Sequence, residues 1–265
     1  MTSTATDNLR IAIVSSGLGH VARGIETWAT DTARALHEMG EDVTLFKGSG
    51  QPETRYERVC SGLRRGSRFN ALLSRLLPGP SWHLGLGNPY DIEQTSFALG
   101  LIPRIRRRYD VIHTQDPLVA LILQRAQHAS LVRAPAVLGH GTEEPFEFLK
   151  KIEFVQHLAP HHLEEARKAG YNREGWTAIG NFVDCDAFRP RDRSEARRRF
   201  DIPEDAFVVL SVAAIKRHHK RIDYLIEEAA RFRKQADPRA FLLVAGASTS
   251  ESDSLRDLAA ERLGD

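Results

Sequence analysis

The chain has 265 residues, of which 42% are hydrophobic and 27% charged, a composition typical of a globular protein of about two domains. Its net charge of +2 is too small to indicate nucleic-acid binding. The sequence contains no apolar segment of about 18 residues, the length that would indicate a membrane-spanning helix.

The regular pattern begins with a strand, a helix and a second strand. RIAIVSS (10–16) is a short apolar segment that predicts a buried strand. Apolar residues then recur every three or four positions from Val21 to Met39, and Gly40 follows, which predicts a helix that ends at a glycine. DVTLFKG (42–48) predicts the next strand. Together they form a βαβ unit of a parallel sheet.

Residues 49–100 are less regular and rich in glycine, proline and arginine. Between Arg55 and Leu77, six arginines alternate with leucines and Phe69, which is typical of an interfacial helix on an anionic membrane. A helix packed on the domain with its arginines in water explains the same pattern. PGPSWHLGLGNP (78–89) predicts a loop.

Strands and helices continue to alternate along the rest of the chain. The predicted strands are 109–117, 134–142, 175–184, 207–215 and 241–247. The predicted helices are 118–127, a charged one after a linker within 188–202, 221–236 and 254–264. This alternation predicts an α/β fold with parallel sheets and helices on both faces.

The linker near residue 190 divides the chain into two predicted domains, 1–188 and 189–265. The second shows only two strands, whereas an open sheet usually has about five or six. We therefore expect the second domain to be incomplete and the chain to be a fragment of a longer protein.

In open α/β sheets, ligands bind at the carboxyl ends of the strands. Gly17 and Gly19 follow the first strand and are candidate donor-binding residues, because glycines there let the backbone approach a phosphate; a plain tight turn is the alternative. Gly17, Gly19 and Ala22 also weakly fit the dinucleotide-binding fingerprint G-x-G-x-x-G, in which alanine is tolerated at the third glycine position. VTLFKG (43–48) lacks the acid that would bind a ribose, so a glycosyl-nucleotide site is favoured over an oxidoreductase.

Three strand ends carry a histidine, and these are candidate cleft-lining residues: His20, His113 and His140. A histidine at such a position can bind a hydroxyl or transfer a proton. Each one alone is equally explained by a hydrogen bond to the backbone. Gly24 lies inside the first predicted helix, where glycine costs about 1 kcal/mol relative to alanine. A close approach by another segment would explain it; a glycine that the helix simply tolerates is the alternative.

A basic turn, KRHHKR (216–221), separates the strand at 207–215 from the next helix. Cations at a helix N-terminus oppose the helix dipole, so an anion bound among them would explain the cluster. A diphosphate could use backbone N–H groups, the dipole and the cations together. A solvated basic surface loop is the alternative.

The sequence resembles the retaining glycosyltransferases of family 4, which have the two-domain GT-B fold. The likeness lies in a glycine loop and helix, an aspartate–histidine strand, a domain junction, and a lysine loop with the strand after it. These are GLGHVARGIETWATDTARALHEMGEDVTLF (17–46), DVIHTQDP (110–117), IGNFVDCDAFRP (179–190), LSVAAIKRHHKRIDYLIEEAARF (210–232) and FLLVAGA (241–247).

The resemblance implies that an N-terminal acceptor-side domain and a C-terminal donor domain hold a nucleotide sugar between them. An arginine and a lysine of the lysine loop bind the diphosphate in that family. The lysine corresponds to Lys220, whereas the arginine corresponds to Ala214. Lys216 or Arg217 would then supply the second charge.

Other features also depart from the family pattern. The family helix that begins G-G-x-E matches at Glu26, a candidate cleft-lining residue, but Arg23 replaces its first glycine. Gln115, another cleft candidate, stands where many members have histidine. The E-x7-E motif, whose carboxylates contact the donor sugar, would lie beyond residue 265.

The resemblance thus implies a transferase that moves a sugar from a nucleotide-diphosphate donor to an unidentified acceptor. Separately, the absence of a CxxC spacing gives no support for a zinc site, the small net charge gives none for nucleic acid, and no cofactor is expected. Ala214 and the missing motif leave open a non-catalytic binding module. The location predicted from the sequence is the cytoplasm, because Cys60 and Cys185 are far apart and the first ten residues contain no apolar signal segment. The stretch from Arg55 to Leu77 adds a candidate peripheral contact with an anionic membrane.

Overall fold

The computed structural model describes residues 8–77, 85–141 and 144–264. It divides into two compact units, Met1–Val183 and Asp184–Asp265, whereas the sequence placed the boundary between residues 188 and 189. Within the described ranges, no helix combines the length and apolar character needed to cross a bilayer.

The N-terminal unit is built on a seven-stranded parallel sheet with the strand order β3-β2-β1-β4-β5-β6-β7. The strands are β1 (Arg10–Ser15), β2 (Asp42–Lys47), β3 (Glu57–Val59), β4 (Val111–Thr114), β5 (Ala136–His140), β6 (Phe154–His157) and β7 (Trp176–Ala178). The helices are α1 (Gly24–Glu38), α2 (Arg68–Leu76), α3 (Pro89–Ile105), α4 (Pro117–His128), α5 (Phe146–Leu149) and α6 (Pro160–Lys168).

Helices cover both faces of this sheet. On one face, Trp28 and Ala33 of α1 pack against Ile13 of β1. On the other, Phe97 of α3 and Leu123 of α4 belong to the largest buried cluster. Because both faces are covered, β1 is apolar along nearly its whole length rather than alternating. The predicted parallel α/β fold is confirmed.

Three parts of this unit differ from the sequence-based expectation. The stretch expected to form one interfacial helix contains β3 and a separate short helix, α2. The region up to residue 100 contains most of α3, which was not predicted, and β6 was also missed. Of the loop predicted at 78–89, residues 78–84 lie outside the described residues.

The helix after β1 begins at Gly24, not near Val21 as predicted. A Cβ added to Gly24 would meet nothing within 4 Å. The interpretation of Gly24 as a mid-helix glycine that a neighbouring segment approaches closely is therefore wrong. At the other end of α1, Gly40 adopts a φ of +91°, as expected for a glycine that terminates a helix.

The C-terminal unit contains α7 (Ser194–Arg199), β8 (Phe207–Val212), α8 (Ile222–Gln235), β9 (Ala240–Ala245) and α9 (Ser252–Leu263). β8 and β9 pair in parallel from Phe207↔Ala240 to Val212↔Ala245. Ile222 and Ile226 of α8 form a small buried cluster with Leu255 of α9. The strand–helix–strand order predicted for this region is present.

Candidate functional site

The glycine turn after β1 packs tightly against neighbouring protein atoms. A Cβ on Gly17 would overlap Oε1 of Glu26. Gly19 has a φ of +98°, and a Cβ there would overlap the carbonyl oxygen of Ser49, which follows β2. The carbonyl of Gly17 accepts a hydrogen bond from the backbone N–H of His20 at 3.2 Å. Local packing alone therefore requires both glycines, and their contact with a donor stays a prediction.

Beside this turn, two buried carboxylates share one arginine. The side chains of Glu26 on α1 and Glu93 on α3 are 2% and 1% exposed. Nη2 of Arg65 lies 2.9 Å from Oε1 of Glu93 and 3.7 Å from Oε1 of Glu26. Nε2 of His20 lies 2.9 Å from Oε2 of Glu93. Two predicted cleft residues, His20 and Glu26, are thus joined through Arg65 and Glu93, which the sequence did not single out.

One oxygen of this network has no internal partner. Oε2 of Glu26 is buried and accepts no hydrogen bond from the residues that the structure describes. Oε1 of the same carboxylate receives Nη2 of Arg23 at 3.4 Å, and the Arg23 side chain is half-exposed. Buried carboxylate oxygens normally accept hydrogen bonds. A ligand hydroxyl could supply the missing donor.

The carboxyl end of β4 adds a buried aspartate to the same region. Asp116 accepts hydrogen bonds from the backbone N–H of Ser16 at 2.6 Å and from the Tyr90 hydroxyl at 2.9 Å. Burial raises the pKa of Asp116, and these hydrogen bonds oppose the rise. Burial, and then the charge of Asp116, raise the pKa of Tyr90. The guanidinium carbon of Arg65 lies 4.2 Å from the centre of the Tyr90 ring.

The sequence contains signals that could have identified Asp116 and the start of α3. Asp116 stands in the polar end of IHTQDP, directly before a proline at the first position of a helix. Asn88-Pro89 is a helix-start signal for α3, and the Asn88 side chain accepts hydrogen bonds from the backbone N–H groups of Tyr90 and Asp91. No local pattern places Glu93 beside Arg65.

The end of β2 carries a cation where a dinucleotide-binding protein would carry an acid. Nζ of Lys47 lies 3.0 Å from Oε2 of Glu57 on β3 and donates to the carbonyl of Gln51 at 3.1 Å. The Lys47 side chain is buried. The position therefore supplies no free carboxylate for a ribose, which agrees with the preference against an oxidoreductase.

His113 is half-buried on β4, beside an aromatic ring and the Gln156 side chain. Its ring is edge-on to Trp28, with ring centres 4.9 Å apart. Burial lowers the pKa of His113 to about 4. Gln115 is also buried, its Nε2 has no hydrogen-bond partner among the described residues, and its side chain lies beside Gly139 of β5.

His140 belongs to a cluster of three histidines. Nδ1 of His140 lies 3.1 Å from Nδ1 of His157, the last residue of β6, and its Nε2 lies 3.7 Å from Oε2 of Glu144. The His162 ring on α6 is centred 5.4 Å from that of His140. Burial, followed by the neighbouring histidines, lowers the pKa of His157 to about 4.

The three strand-end histidines therefore have separate neighbours. His20 contacts Ser49 and Glu93, His113 contacts Trp28, and His140 contacts the histidine cluster. No contact given by the described residues joins these three histidines to one another.

In the C-terminal unit, the basic turn leads from β8 into α8. Two residues that are not glycine adopt left-handed backbone conformations in it, His219 with a φ of 64° and Arg221 with a φ of 47°. Such conformations cost about 1 to 3 kcal/mol each and concentrate at functional sites. Arg221 is the N-cap of α8, and its side chain forms no capping hydrogen bond.

The cations of the turn differ in the contacts that they already make with other residues of the protein. Nη2 of Arg217 donates to Oγ of Ser254 at 3.3 Å, and the Arg217 backbone N–H donates to Glu251 at 3.1 Å. Lys220 is exposed and Lys216 half-buried, and neither ammonium has a hydrogen bond or ion pair among the described residues. Lys216 is thus better placed than Arg217 to supply a second charge beside Lys220.

Compared with models of known protein families, the chain matches one of them within its C-terminal unit. Residues 192–264 match the family model described as Glycosyl transferases group 1. The match covers β8, the basic turn, α8, β9 and α9.

One curated relative aligns with most of the chain. D-inositol 3-phosphate glycosyltransferase 1 from Catenulispora acidiphila is 25% identical over 252 residues, which cover 83% of this chain and 56% of the relative. The chain therefore spans little more than half the length of that relative.

Solved structures show the same fold. Anabaena Alr3699/HepE in complex with UDP and glucose has a TM-score of 0.61 and 16% identity, covering 97% of this chain and 67% of that one. A glycosyltransferase from Rickettsia africae has a TM-score of 0.59 and 13% identity, covering 97% and 65%. These similarities confirm the predicted α/β fold of the GT-B type.

Proposed function

We propose that the protein containing this chain is a glycosyltransferase that moves a sugar from a nucleoside-diphosphate sugar to an acceptor. The observation that carries the proposal is the match of residues 192–264 to the Glycosyl transferases group 1 model. The basic turn with its two unpaired lysines lies inside that match. The named activity of the Catenulispora relative and the UDP and glucose bound to the Anabaena protein support the same class of reaction.

In this proposal the basic turn binds the donor diphosphate. Lys220 and Lys216 supply the positive charge, and the N-terminus of α8 adds backbone N–H groups and its dipole. During transfer, negative charge builds up on the departing diphosphate. Cations already held in position stabilise that charge, which lowers the barrier.

The buried network of the N-terminal unit has the chemistry to bind a hydroxyl-bearing acceptor. Oε2 of Glu26 can accept a hydrogen bond from a hydroxyl, and the half-exposed Arg23 presents a donor nearby. The proposed acceptor is a polar compound rich in hydroxyl groups, as the name of the Catenulispora relative indicates for its own substrate.

We also propose the finer assignment to family 4 with retention of anomeric configuration. It rests on the resemblance of the glycine loop, the junction and the lysine loop to that family. No side chain of the described residues is identified as a nucleophile, so attack by the acceptor on the same face that the diphosphate leaves is the mechanism this assignment implies.

Binding of nucleotides by the chain itself tests the proposal. Calorimetry with UDP, GDP and ADP should show binding of at least one diphosphate, and Lys220→Ala should weaken it. Lys234→Ala is a matched control, because Lys234 is an exposed lysine of α8 away from the turn. Binding of NAD in place of all three diphosphates, or of no nucleotide at all, would contradict it.

We further propose a cytoplasmic protein that contacts anionic membranes through α2. The chain has two cysteines far apart in the sequence, buried Cys60 and exposed Cys185, and so few cysteines are typical of proteins in a reducing compartment. α2 exposes Phe69, Leu72 and Leu76, which are 74%, 53% and 71% exposed. The helix carries arginines and no acidic residue, so its charge complements an anionic lipid surface.

A further inference from the structure

We propose that His140, His157 and His162 form a binding site for a divalent transition-metal ion such as Zn²⁺. One ring nitrogen from each of the three side chains lies within 4.8 Å of those of the other two. Imidazole nitrogen is a preferred ligand of zinc, copper and nickel. The site shares no residue with the basic turn or with the network around Glu26, so it goes beyond the proposed sugar transfer.

The sheet itself brings the first two ligands together. His140 ends β5 and His157 ends β6, and the two residues are direct partners in the parallel register. The chain then turns through Leu158 and Ala159 into α6, whose first turn carries His162. Two ligands on paired strands and one on a helix give a site held by regular elements, which is more rigid than a site on loops.

The distances are close to those that a tetrahedral ion needs. With zinc–nitrogen bonds of about 2.0–2.1 Å, neighbouring ligand nitrogens lie about 3.3 Å apart. The Nδ1 atoms of His140 and His157 are already 3.1 Å apart and face each other. His162 is the least buried of the three, and its ring centre lies 5.4 Å from that of His140 and 6.5 Å from that of His157.

The protein leaves buried ring nitrogens of this cluster without partners. Nδ1 of His162 is buried and forms no hydrogen bond within the described parts of the chain, and the same holds for Nε2 of His157, the nitrogen opposite the one that faces His140. Buried polar atoms usually have a partner. Packing against Trp176 explains the burial of the His157 ring, but it does not explain why three imidazoles converge.

Glu144 lies where an outer carboxylate is expected. Its Oε2 is 3.7 Å from Nε2 of His140. A histidine that binds a metal through Nδ1 typically donates its Nε2–H to a carboxylate, which orients the ring and makes it a stronger ligand. Three protein nitrogens leave the fourth tetrahedral position for water or a ligand oxygen.

The test is a metal titration of the whole chain after treatment with a chelator. Calorimetry with Zn²⁺ should give one ion per chain, and Co²⁺ should produce the visible absorption band of a tetrahedral complex. His162→Ala and His140→Ala should weaken binding by more than 100-fold, since even changes to outer partners cost about 10- to 100-fold. Glu144→Gln should fall within that smaller range.

His161→Ala is the matched control, because His161 is exposed and directly precedes His162. It should leave both the affinity and the Co²⁺ band unchanged. Circular dichroism of each variant checks that it is folded. Absence of stoichiometric binding to the wild-type chain, or an equal loss in the His161 and His162 variants, would overturn the proposal.

Discussion

Replacing Lys220 with alanine tests the basic turn most directly. Lys220 is exposed, and its ammonium has no partner among the described residues. The substitution therefore leaves no buried group unpaired, and the free energy of unfolding should change by no more than about 0.5 kcal/mol. Any large effect on ligand binding can then be assigned to a lost contact with the ligand.

The expected magnitude follows from the type of contact. A hydrogen bond between an ammonium and a phosphate contributes about 1.5 to 3 kcal/mol. At about 1.4 kcal/mol for each factor of ten, Lys220→Ala should weaken binding of a nucleoside diphosphate roughly ten- to a hundredfold. Because the site is open to solvent, raising the salt concentration should reduce the difference between wild type and variant.

Neighbouring cations should rank according to their existing contacts. Lys216→Ala should weaken binding to a similar degree, since its ammonium is also unpaired. Arg217→Ala should have a smaller effect on binding, because its guanidinium already contacts Ser254 of α9. The opposite order would show that Arg217 is the second cation.

Calorimetry with the nucleoside diphosphate that the chain binds and with its parent nucleoside makes the measurement. Lys220→Ala should weaken binding of the diphosphate while leaving the nucleoside unaffected, because the lost contact is to the phosphates. Lys234→Ala should affect neither ligand. If Lys220→Ala weakens both ligands equally, or neither, the turn is a solvated surface loop and the reasoning fails.

Three further predictions concern the N-terminal unit. Gly19→Ala should lower the free energy of unfolding by about 2 kcal/mol or more in chemical denaturation, because it combines a left-handed backbone with a steric overlap. Gly66 is the control, since it has a φ of +82° and open space around it, and Gly66→Ala should cost only about 1 to 2 kcal/mol. Equal costs of the two substitutions would refute the overlap at Gly19. Burial lowers the pKa of His113 to about 4 in the folded chain, whereas in the unfolded chain it is about 6.5. As the pH falls below about 6.5, His113 is therefore protonated in the unfolded chain before it is protonated in the folded one. His113 should then contribute a decrease in stability of about 3 kcal/mol between pH 6.5 and 4, in addition to that from His157, and a His113→Phe variant with the same total decrease as the wild type would disprove the assignment. The chain should sediment with vesicles of anionic lipid but not of neutral lipid, and Phe69→Ser with Leu76→Ser should abolish this; binding that ignores lipid charge would exclude α2 as a membrane contact.

Hydrophobic periodicity in the sequence was enough to predict the α/β class. β1, β2, β4, β8 and β9 are apolar segments bounded by small or polar residues, and α1 and α8 have a clear apolar face. Such patterns arise because each element buries one face or both against its neighbours. The clustering of cations at 216–221 was equally visible, since it lies within one short segment.

Tertiary structure decided the rest, and α3 shows why. Most of its buried residues lie on one face, but that face includes the polar Glu93 and Gln94, whereas Leu99 on the opposite side is exposed, so hydrophobicity does not mark the buried face in the sequence. β3 (Glu57–Val59) and β6 (Phe154–His157) are short and include polar residues, so neither shows the apolar run that marks β1 and β2.

Contacts between distant residues are the second part that only the fold determines. Glu93 meets His20 and Arg65 because α3 packs beside the ends of the central strands, and no spacing in the sequence encodes that meeting. His140 and His157 face each other because parallel register aligns the ends of β5 and β6. The residue types could be seen in the sequence, whereas their grouping into a charged network and a histidine cluster depends on strand order and register.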